Sequence, residues 1–405
     1  MNGLPKPRGA TVEPVAQPCR SIWVERLTLT NFRNYAYARL ELTPEPVVLL
    51  GANGAGKTNL LEAVSLLAPG QGLRRAPFPQ LGRIGGSGEW AVAASVHTPR
   101  GRVEIGTGLR PGGPETADGG SRSGRLVRID GTTQPGSGAL ADWVEMVWLT
   151  PAMEGLFTGP ASDRRAFLDR LTLCFDPGYR MRAGQFERAM RQRNKLLQDG
   201  VTEDALFASL ELIMAETGVA AAAARAQAAA ALEVTIAMRR ERNPDSPFPW
   251  ARVALEGWID ERLSREPAVE VEDAYRALLR RERERDRAAG RTLVGPHRTE
   301  MRVEHGPKAM PAEVCSTGEQ KALLIGLVLA HAELLAKRRE GAAPVLLLDE
   351  IAAHLDVSRR AALLEELLRI GSQAWMTGTD RHAFAALEGR ARILCVEDGR
   401  ILAPT

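Results

Sequence analysis

The sequence predicts an α/β protein: a mixed sheet assembled from the two ends of the chain, with a mainly helical lobe inserted between its halves. Three observations carry this prediction. Near the N-terminus the apolar run Val47-Val48-Leu49-Leu50 leads through Gly51-Ala52-Asn53-Gly54-Ala55-Gly56-Lys57-Thr58 into the helical run Asn59 to Val64. Near the C-terminus Pro344-Val345-Leu346-Leu347-Leu348 reads as a buried strand and ends in Asp349-Glu350. Between them, beyond Pro151, the composition turns to helix formers, including the alanine-rich Val219 to Ala226 and the charged Arg280 to Arg287.

The first of these, a strand, a Gly-rich turn and a helix in that order, builds a phosphate cradle. Glycines at Gly51, Gly54 and Gly56 let backbone N–H groups approach phosphate oxygens, Lys57 can reach the β and γ phosphates, and the Thr58 hydroxyl can ligate Mg²⁺. This is a Walker A loop, so the whole stretch Gly51, Ala52, Asn53, Gly54, Ala55, Gly56, Lys57 and Thr58 is a candidate for holding ATP. The second observation completes it as a Walker B strand: Asp349 would hold Mg²⁺ and Glu350 would polarise the attacking water, the division of labour that in-line phosphoryl transfer needs. Taken alone, the same run is a core strand ending in a solvated acidic pair.

Upstream of that strand stands Ser316-Thr317-Gly318-Glu319-Gln320-Lys321, followed by the apolar helical run Ala322 to Ala336. A Ser-x-Gly turn at a helix start offers a hydroxyl, free N–H groups and the positive end of a helix dipole, which together suit a γ-phosphate. As an isolated hexamer it is also an ordinary N-cap. Walker A, Ser-x-Gly-Glu-Gln and Walker B in this order resemble the ABC-type ATPases, which implies an ABC-type P-loop ATPase head in which Ser316 and Gly318 of one head complete the nucleotide site of another, and hence an ATP-dependent homodimer. Ala353-His354-Leu355-Asp356 resembles the loop that lies along that dimer interface. The next strand, Ala374 to Asp380, ends where ABC transporters carry a switch His; here the hydroxyl of Thr377 or of Thr379 occupies the region, and both remain open as the γ-phosphate sensor.

Four further blocks resemble the RecF family of bacterial recombination and repair ATPases, relatives of SMC heads. They are Leu27-Thr28-Leu29-Thr30-Asn31-Phe32-Arg33-Asn34-Tyr35, Gly51 to Val64, Arg164-Arg165-Ala166-Phe167-Leu168-Asp169, and Gly290-Arg291-Thr292 with Gly295-Pro296-His297-Arg298. The resemblance runs from about residue 22 to about residue 400 and implies that Arg33 lies beside the nucleotide. It also implies a slow DNA-stimulated ATPase in the cytoplasm that dimerises on ATP, binds single- and double-stranded DNA near gaps, and aids RecA loading and SOS induction with the RecO and RecR mediators. Two places depart from the family pattern. Thr299-Glu300 stands where two acids usually follow the Gly-Pro-His-Arg block, and Thr150-Pro151-Ala152-Met153-Glu154 replaces Ser-Pro-Glu-Asp-Leu in a lid-like loop.

Bulk properties bound the rest. The 405 residues, 44% apolar and 25% charged, are ordinary for a globular chain of two or three domains, and a net charge of +3 requires any nucleic-acid contact to come from local clusters. One such cluster is Arg180, Arg182, Arg188, Arg191, Arg193 and Lys195. From the residues alone it is a solvated helix face; the family resemblance makes it a DNA-binding stripe, which would grip backbone and shape rather than bases. Cys19, Cys174, Cys315 and Cys395 are widely spaced and read as reduced thiols, Cys315 as a buried packing residue. The apolar run Ala322 to Ala336 carries His331 and Glu333 and is too short to span a bilayer, so no membrane partner is expected.

The expected organisation is a disordered extension over 1–21, an N-terminal half-head over 22–150, the helical lobe over 151–289 and a C-terminal half-head over 290–405. Glu89 to His97, Gly101 to Gly108 and Arg125 to Ile129 should join the early strands in an antiparallel sheet, with Pro111 to Gly124 as a hairpin loop and Val253 to Leu255 as a short strand within the lobe. Two other functions fit the same motifs: the energising subunit of a membrane transporter, and a nucleotide-gated scaffold that barely turns over.

Overall fold

The computed structural model describes residues 21–109, 124–351 and 355–402. The expected N-terminal extension, nearly all of the Pro111 to Gly124 loop, Ala353-His354 and Cys19 therefore lie outside the described residues. The N-terminal segment forms β1 (Trp23–Phe32), β2 (Tyr35–Glu41), β3 (Val47–Leu50), α1 (Lys57–Ser65), β4 (Trp90–Thr98), β5 (Gly101–Leu109), β6 (Leu126–Ile129), β7 (Thr132–Thr133) and β8 (Met146–Leu149). The middle supplies α2 (Ala161–Phe175), α3 (Tyr179–Gln198), α4 (Asp204–Arg242), β9 (Ala251–Glu256), α5 (Trp258–Leu263), α6 (Ala268–Arg281), α7 (Arg283–Ala289), β10 (Glu300–His305) and β11 (Met310–Pro311). The C-terminal segment adds α8 (Thr317–Arg338), β12 (Val345–Leu348), α9 (Val357–Ile370), β13 (Ala374–Gly378), β14 (Arg392–Glu397) and β15 (Arg400–Leu402).

The central sheet has the order β15-β14-β3-β13-β12-β8, parallel except for the β14–β15 hairpin. Both faces of β3, β12 and β13 are buried, which explains why these strands read as unbroken apolar runs rather than alternating ones. Val47, Leu49, Val345, Leu347 and Trp375 face one core, shared with α1 and the antiparallel sheet β2-β1-β4-β5-β6-β7. Val48, Leu50, Leu346, Leu348 and Met376 face a second, shared with α8, α9 and the inner part of the lobe. The mixed sheet, the flanking antiparallel sheet and the inserted helical lobe are as the sequence predicts.

The two chain ends are stitched together by a side-chain amide. Buried Gln373 accepts from Val24 N (2.9 Å) and donates to Val24 O (3.0 Å) and Thr43 O (2.9 Å), imitating a strand partner for the start of β1. Ile22 N donates to Ala343 O at 3.0 Å. A third sheet, β11-β10-β9, pairs strands from either side of residue 290, so the lobe and the returning half-head share backbone hydrogen bonds.

Helix α4, 39 residues and about 58 Å long, is the spine of the lobe. Its Ala221, Ala222, Ala224, Ala228 and Ala229 are buried, and these small side chains let α2, α3, α6 and α8 pack closely along it. One correction follows: the sequence suggested no segment fit for a bilayer, yet α4 is long and apolar enough to cross one, with a mean hydropathy of 1.5 over its most apolar window. The packing against four helices accounts for that composition.

Arg193 requires a second correction. It belongs to the stripe expected to meet DNA, but it is fully buried and donates to Glu211 (3.1 Å), Asp286 (2.6 Å), Thr292 Oγ1 (2.9 Å) and Leu279 O (2.7 Å). It ties α3 to α4, α6 and α7 and, being 0% exposed, is out of reach of phosphate. Glu333 plays a similar part where α4, α8 and α9 meet, accepting from Arg239, Arg242 and Arg369, and these cations hold its carboxyl far below the usual range despite burial.

Arg193→Met should lower unfolding stability in denaturant titration by roughly 3–5 kcal/mol, since it strands Asp286 and part of Glu211 in the interior. Arg191→Met, on the exposed face of the same helix, should change stability by no more than about 0.5 kcal/mol.

Candidate nucleotide site

The loop after β3 is shaped by what surrounds it. A Cβ on Gly51 would overlap the carbonyl oxygen of Val396 on the neighbouring strand, and Gly56 has φ 116 and packs under Asn34 and Tyr35, so neither position admits a larger residue. Asn34 Nδ2 donates to Ala55 O (3.1 Å), Tyr35 OH donates to Gly56 O (3.0 Å), and Asn59 Nδ2 donates to Asn34 Oδ1 (2.8 Å). The turn between β1 and β2 thus holds the loop from beneath. Helix α1 starts at Lys57 without a side-chain cap, which leaves its first N–H groups directed at the loop's concave side.

Lys57 Nζ folds back to donate to Gly51 O and Ala52 O, both at 2.8 Å. Burial lowers its pKa, while the Glu350 and Asp349 carboxylates oppose that shift. The ammonium therefore lies in the field of both acids, inside a shallow cavity of about 110 Å³ lined by Asn53, Gly54, Lys57, Thr58, Arg74 and Glu350.

The decisive contact joins the two halves. Thr58 Oγ1 donates to Asp349 Oδ1 at 2.9 Å, across 291 positions of sequence. Thr377 Oγ1 donates to the same Asp349 oxygen at 2.8 Å and accepts from Glu350 N at 2.7 Å. Glu350 has φ 52, a left-handed conformation that a glutamate adopts at a cost of roughly 1–2 kcal/mol, and the Thr377 hydroxyl anchors it there. A hydroxyl and a carboxylate in direct contact form the hard-oxygen pair that Mg²⁺ prefers, so these residues fit the expected ion. Of the two candidate sensors, Thr377 is buried with its hydroxyl committed to the acids, and Thr379 is exposed at the strand end.

Ser316 caps α8 in a full capping box with Glu319, whose carboxylate accepts from Ser316 N (3.0 Å) and also pairs with Lys308. Ser316, Thr317 and Gly318 are exposed and take no part in lining the Walker cavity of their own chain. Both readings of this turn, helix cap and outward-facing donor, are compatible with the same geometry.

Arg33 forms a bidentate pair with Glu62 (2.8 and 2.9 Å), a carboxylate 1% exposed, which Arg74 approaches at 3.5 Å from the other side. Glu62, Asn34, Asn59 and Arg74 are structural partners of the site that reading the sequence missed. Three of them lay inside the two blocks quoted for Arg33 and the Walker loop; what sequence could not supply was that the blocks touch. The same holds for the other two. Arg225 donates to Asp169 (2.9 Å), Tyr179 OH (2.8 Å) and Pro296 O (2.5 Å), and Arg164 pairs with Glu300 at 2.5 Å. Thr299, at the departure from the family pattern, donates to Asp260 Oδ2 at 2.7 Å. Glu154, in the other departure, pairs with Lys321 of α8 at 2.7 Å, linking the loop after β8 to the helix that Ser316 caps.

Of the basic stripe, Arg188, Arg191 and Lys195 are exposed on one face of α3 and form no salt bridge among the described residues. Arg182 pairs with Asp176, and Arg180 faces a cavity between head and lobe.

Comparison with known proteins places this geometry. Residues 26–85 match the family described as "AAA domain". The chain is 54% identical over 379 residues to "DNA replication and repair protein RecF" of Mesorhizobium japonicum, covering 93% of this chain and 97% of that protein. It is 52% identical to the protein of the same name from Rhizobium leguminosarum bv. trifolii, with 93% and 98% covered. Among solved structures, "Structure of the recombination mediator protein RecF-ATPrS in RecFOR pathway" matches with a TM-score of 0.81 at 21% identity, covering 94% of this chain and 98% of that one. An Smc head domain from Pyrococcus furiosus, bound to the C-terminal domain of ScpA, matches with a TM-score of 0.52 at 17% identity over 95% and 96%. The fold is therefore that of the ATPase heads, and the chain belongs to the RecF family of DNA replication and repair proteins.

Proposed function

We propose that this chain is an ATP-dependent DNA-binding protein of recombinational repair, whose two heads close on one another around ATP and reopen on hydrolysis. The observation that carries the reading is the Thr58–Asp349 hydrogen bond, which brings both ends of the polypeptide to one phosphate-sized cradle. The names of relatives supply the setting: replication and repair for the RecF proteins, and the RecFOR pathway for the solved ATP-bound one. RecO and RecR as partners, RecA loading at gaps, SOS induction and a cytoplasmic site of action belong to this proposal.

In this mechanism the Gly51–Thr58 amides and Lys57 bind the triphosphate, and Lys57 exchanges its bonds to Gly51 O and Ala52 O for phosphate oxygens. Thr58 and Asp349 would hold Mg²⁺, which would supply charge neutralisation for the triphosphate. Glu350, held by Thr377, orients the attacking water. Ser316 and the free N–H groups near Gly318 reach the γ-phosphate held by a second copy, because they face outward from their own head. Thr377 acts here as a positioning residue for the two acids. Exposed Arg188, Arg191 and Lys195 offer three cations at one helix face to the DNA backbone; Arg193 is withdrawn from that role.

Lys57→Met should abolish ATP binding in equilibrium titration. Glu350→Gln should bind ATP and accumulate as a dimer in light scattering; hydrolysis at the parental rate would overturn the assignment of the base. Thr377→Val should cut ATP turnover by about tenfold or more, as loss of a buried hydroxyl bound to a charged group costs roughly 1.5–3 kcal/mol, with nucleotide affinity in EDTA nearly unchanged. Thr379→Val should leave both near parental, and the opposite pattern would make Thr379 the sensor. Replacing Arg188, Arg191 and Lys195 together by Gln should reduce the slope of log affinity against log salt for duplex DNA by about three; an unchanged slope would move the DNA contact elsewhere.

A further inference from the structure

A second cavity lies at the seam between head and lobe, and no residue from Gly51 to Thr58, nor Asp349 or Glu350, contributes to it. It is enclosed by β8 with the turn before it, by Ala68 and Pro69 beyond α1, by α2 and the start of α3, and by His331 of α8. The space inside is about 160 Å³ and opens to solvent at its mouth, room for one aromatic ring. The walls are mainly apolar, with Trp148 and Phe167 supplying flat aromatic surface.

Three of the lining residues carry a buried polar atom, Trp148 Nε1, His331 Nε2 and Glu145 Oε2, with no hydrogen-bond partner among the described residues. Trp23, Glu25 and His97 carry such atoms as well, so it is the cationic lining that marks this cavity for an occupant.

The charges say which occupant. Arg170 lies against the Trp148 and Phe167 rings, its guanidinium carbon 5.3 and 5.9 Å from their centroids, and among the described residues its side chain bonds only to Met153 Sδ, at 3.8 Å. Burial and Arg75 push it down to about 10 against the opposing pull of Cys174 and Asp169, and it remains a cation at neutral pH that forms no salt bridge among the described residues. Arg180, an exposed residue of the lining, has no salt bridge among the described residues either. Arg339 is already neutralised by Glu145 at 2.8 Å, and Asp142 is an exposed acid at the rim. Burial keeps the His331 ring and the Cys174 thiol neutral, down to about 3 and up to about 12. One half-buried and one exposed cation therefore line the cavity beside aromatic surface without a salt bridge.

We propose that this seam cavity is a binding site for a small aromatic monoanion, its carboxylate, sulfonate or phosphate ester group on Arg170 and Arg180 and its ring against Trp148 and Phe167. Arg170 over an indole is preorganised for such a ligand, since a guanidinium recognises planar oxyanions and stacks at the same time. The site bears on the head: β8 pairs in parallel with β12, Trp148 opposite Leu347, and Asp349 N donates to Leu149 O at 2.9 Å. A ligand seated on Trp148 therefore touches the strand next to the one that carries Asp349. The proposal does not depend on how ATP or DNA is handled.

The test is titration of the full chain with 8-anilinonaphthalene-1-sulfonate, read by dye fluorescence and by quenching of tryptophan emission, alongside the neutral dye N-phenyl-1-naphthylamine. One equivalent should bind, and the neutral dye should bind at least about tenfold more weakly. Arg170→Met should weaken the anion about tenfold or more without affecting the neutral dye. Gly138→Trp, at a lining position with open space beyond the backbone, should exclude both. Equal binding of the two dyes, or anion binding unchanged in Arg170→Met, would overturn the proposal. Should Gly138→Trp fail to fold, the comparison of dyes in the parental chain and in Arg170→Met decides alone.

Discussion

One hydrogen bond, from Thr58 to Asp349, is the constraint on which the rest of the structure depends. For those two side chains to meet, β3 and β12 must flank β13 in a single parallel sheet, and everything inserted between them must leave and return without disturbing that order. Thr377 stands on the intervening strand and bridges Asp349 and Glu350 N, so the three strands deliver one residue each, at adjoining ends, to the same few ångströms. This is the usual place for a site in a parallel sheet, just beyond the carboxyl ends of the strands.

Long-range ion pairs repeat this logic elsewhere. Glu62 answers Arg33 and Arg74, Glu333 gathers three arginines from α4 and α9, and Arg193 joins four segments of the lobe. Each is buried on at least one side and fully provided with partners, the condition under which buried charge specifies a single arrangement rather than weakening it. The seam between lobe and head differs: among the described residues Arg170 and Arg180 form no salt bridge, although Asp169 acts on Arg170 from nearby. That contrast with the buried, paired arginines elsewhere is what singles the cavity out.

Most of the fold was legible because the central strands are buried on both faces. Val47–Leu50 and Val345–Leu348 stand out as apolar runs bounded by glycine or acid, and β13, β4 and β5 begin and end within a residue or two of where alternation and turn residues put them. The Walker residues were legible for a different reason: phosphate chemistry fixes their spacing. What escaped was every property that depends on which element lies opposite. Arg193 and Arg191 are two residues apart and chemically identical, yet one is sealed among acids and the other is in solvent. Helix α4 has the composition of a bilayer span because four helices crowd it, and hydropathy carries no record of neighbours. Arg33 was expected at the nucleotide; its bidentate partner Glu62 lies 29 positions away and has no local signal.

The account is tested most directly by a double-mutant cycle on Mg²⁺-dependent ATP affinity, with Thr58→Val, Asp349→Asn and the combined variant. Because the two side chains share one ion in this account, the second substitution should cost little once the first is made, giving a coupling energy of about 1–3 kcal/mol. Losses that simply add would mean that the two ends of the chain do not act on the same metal, and the site as described here would be wrong.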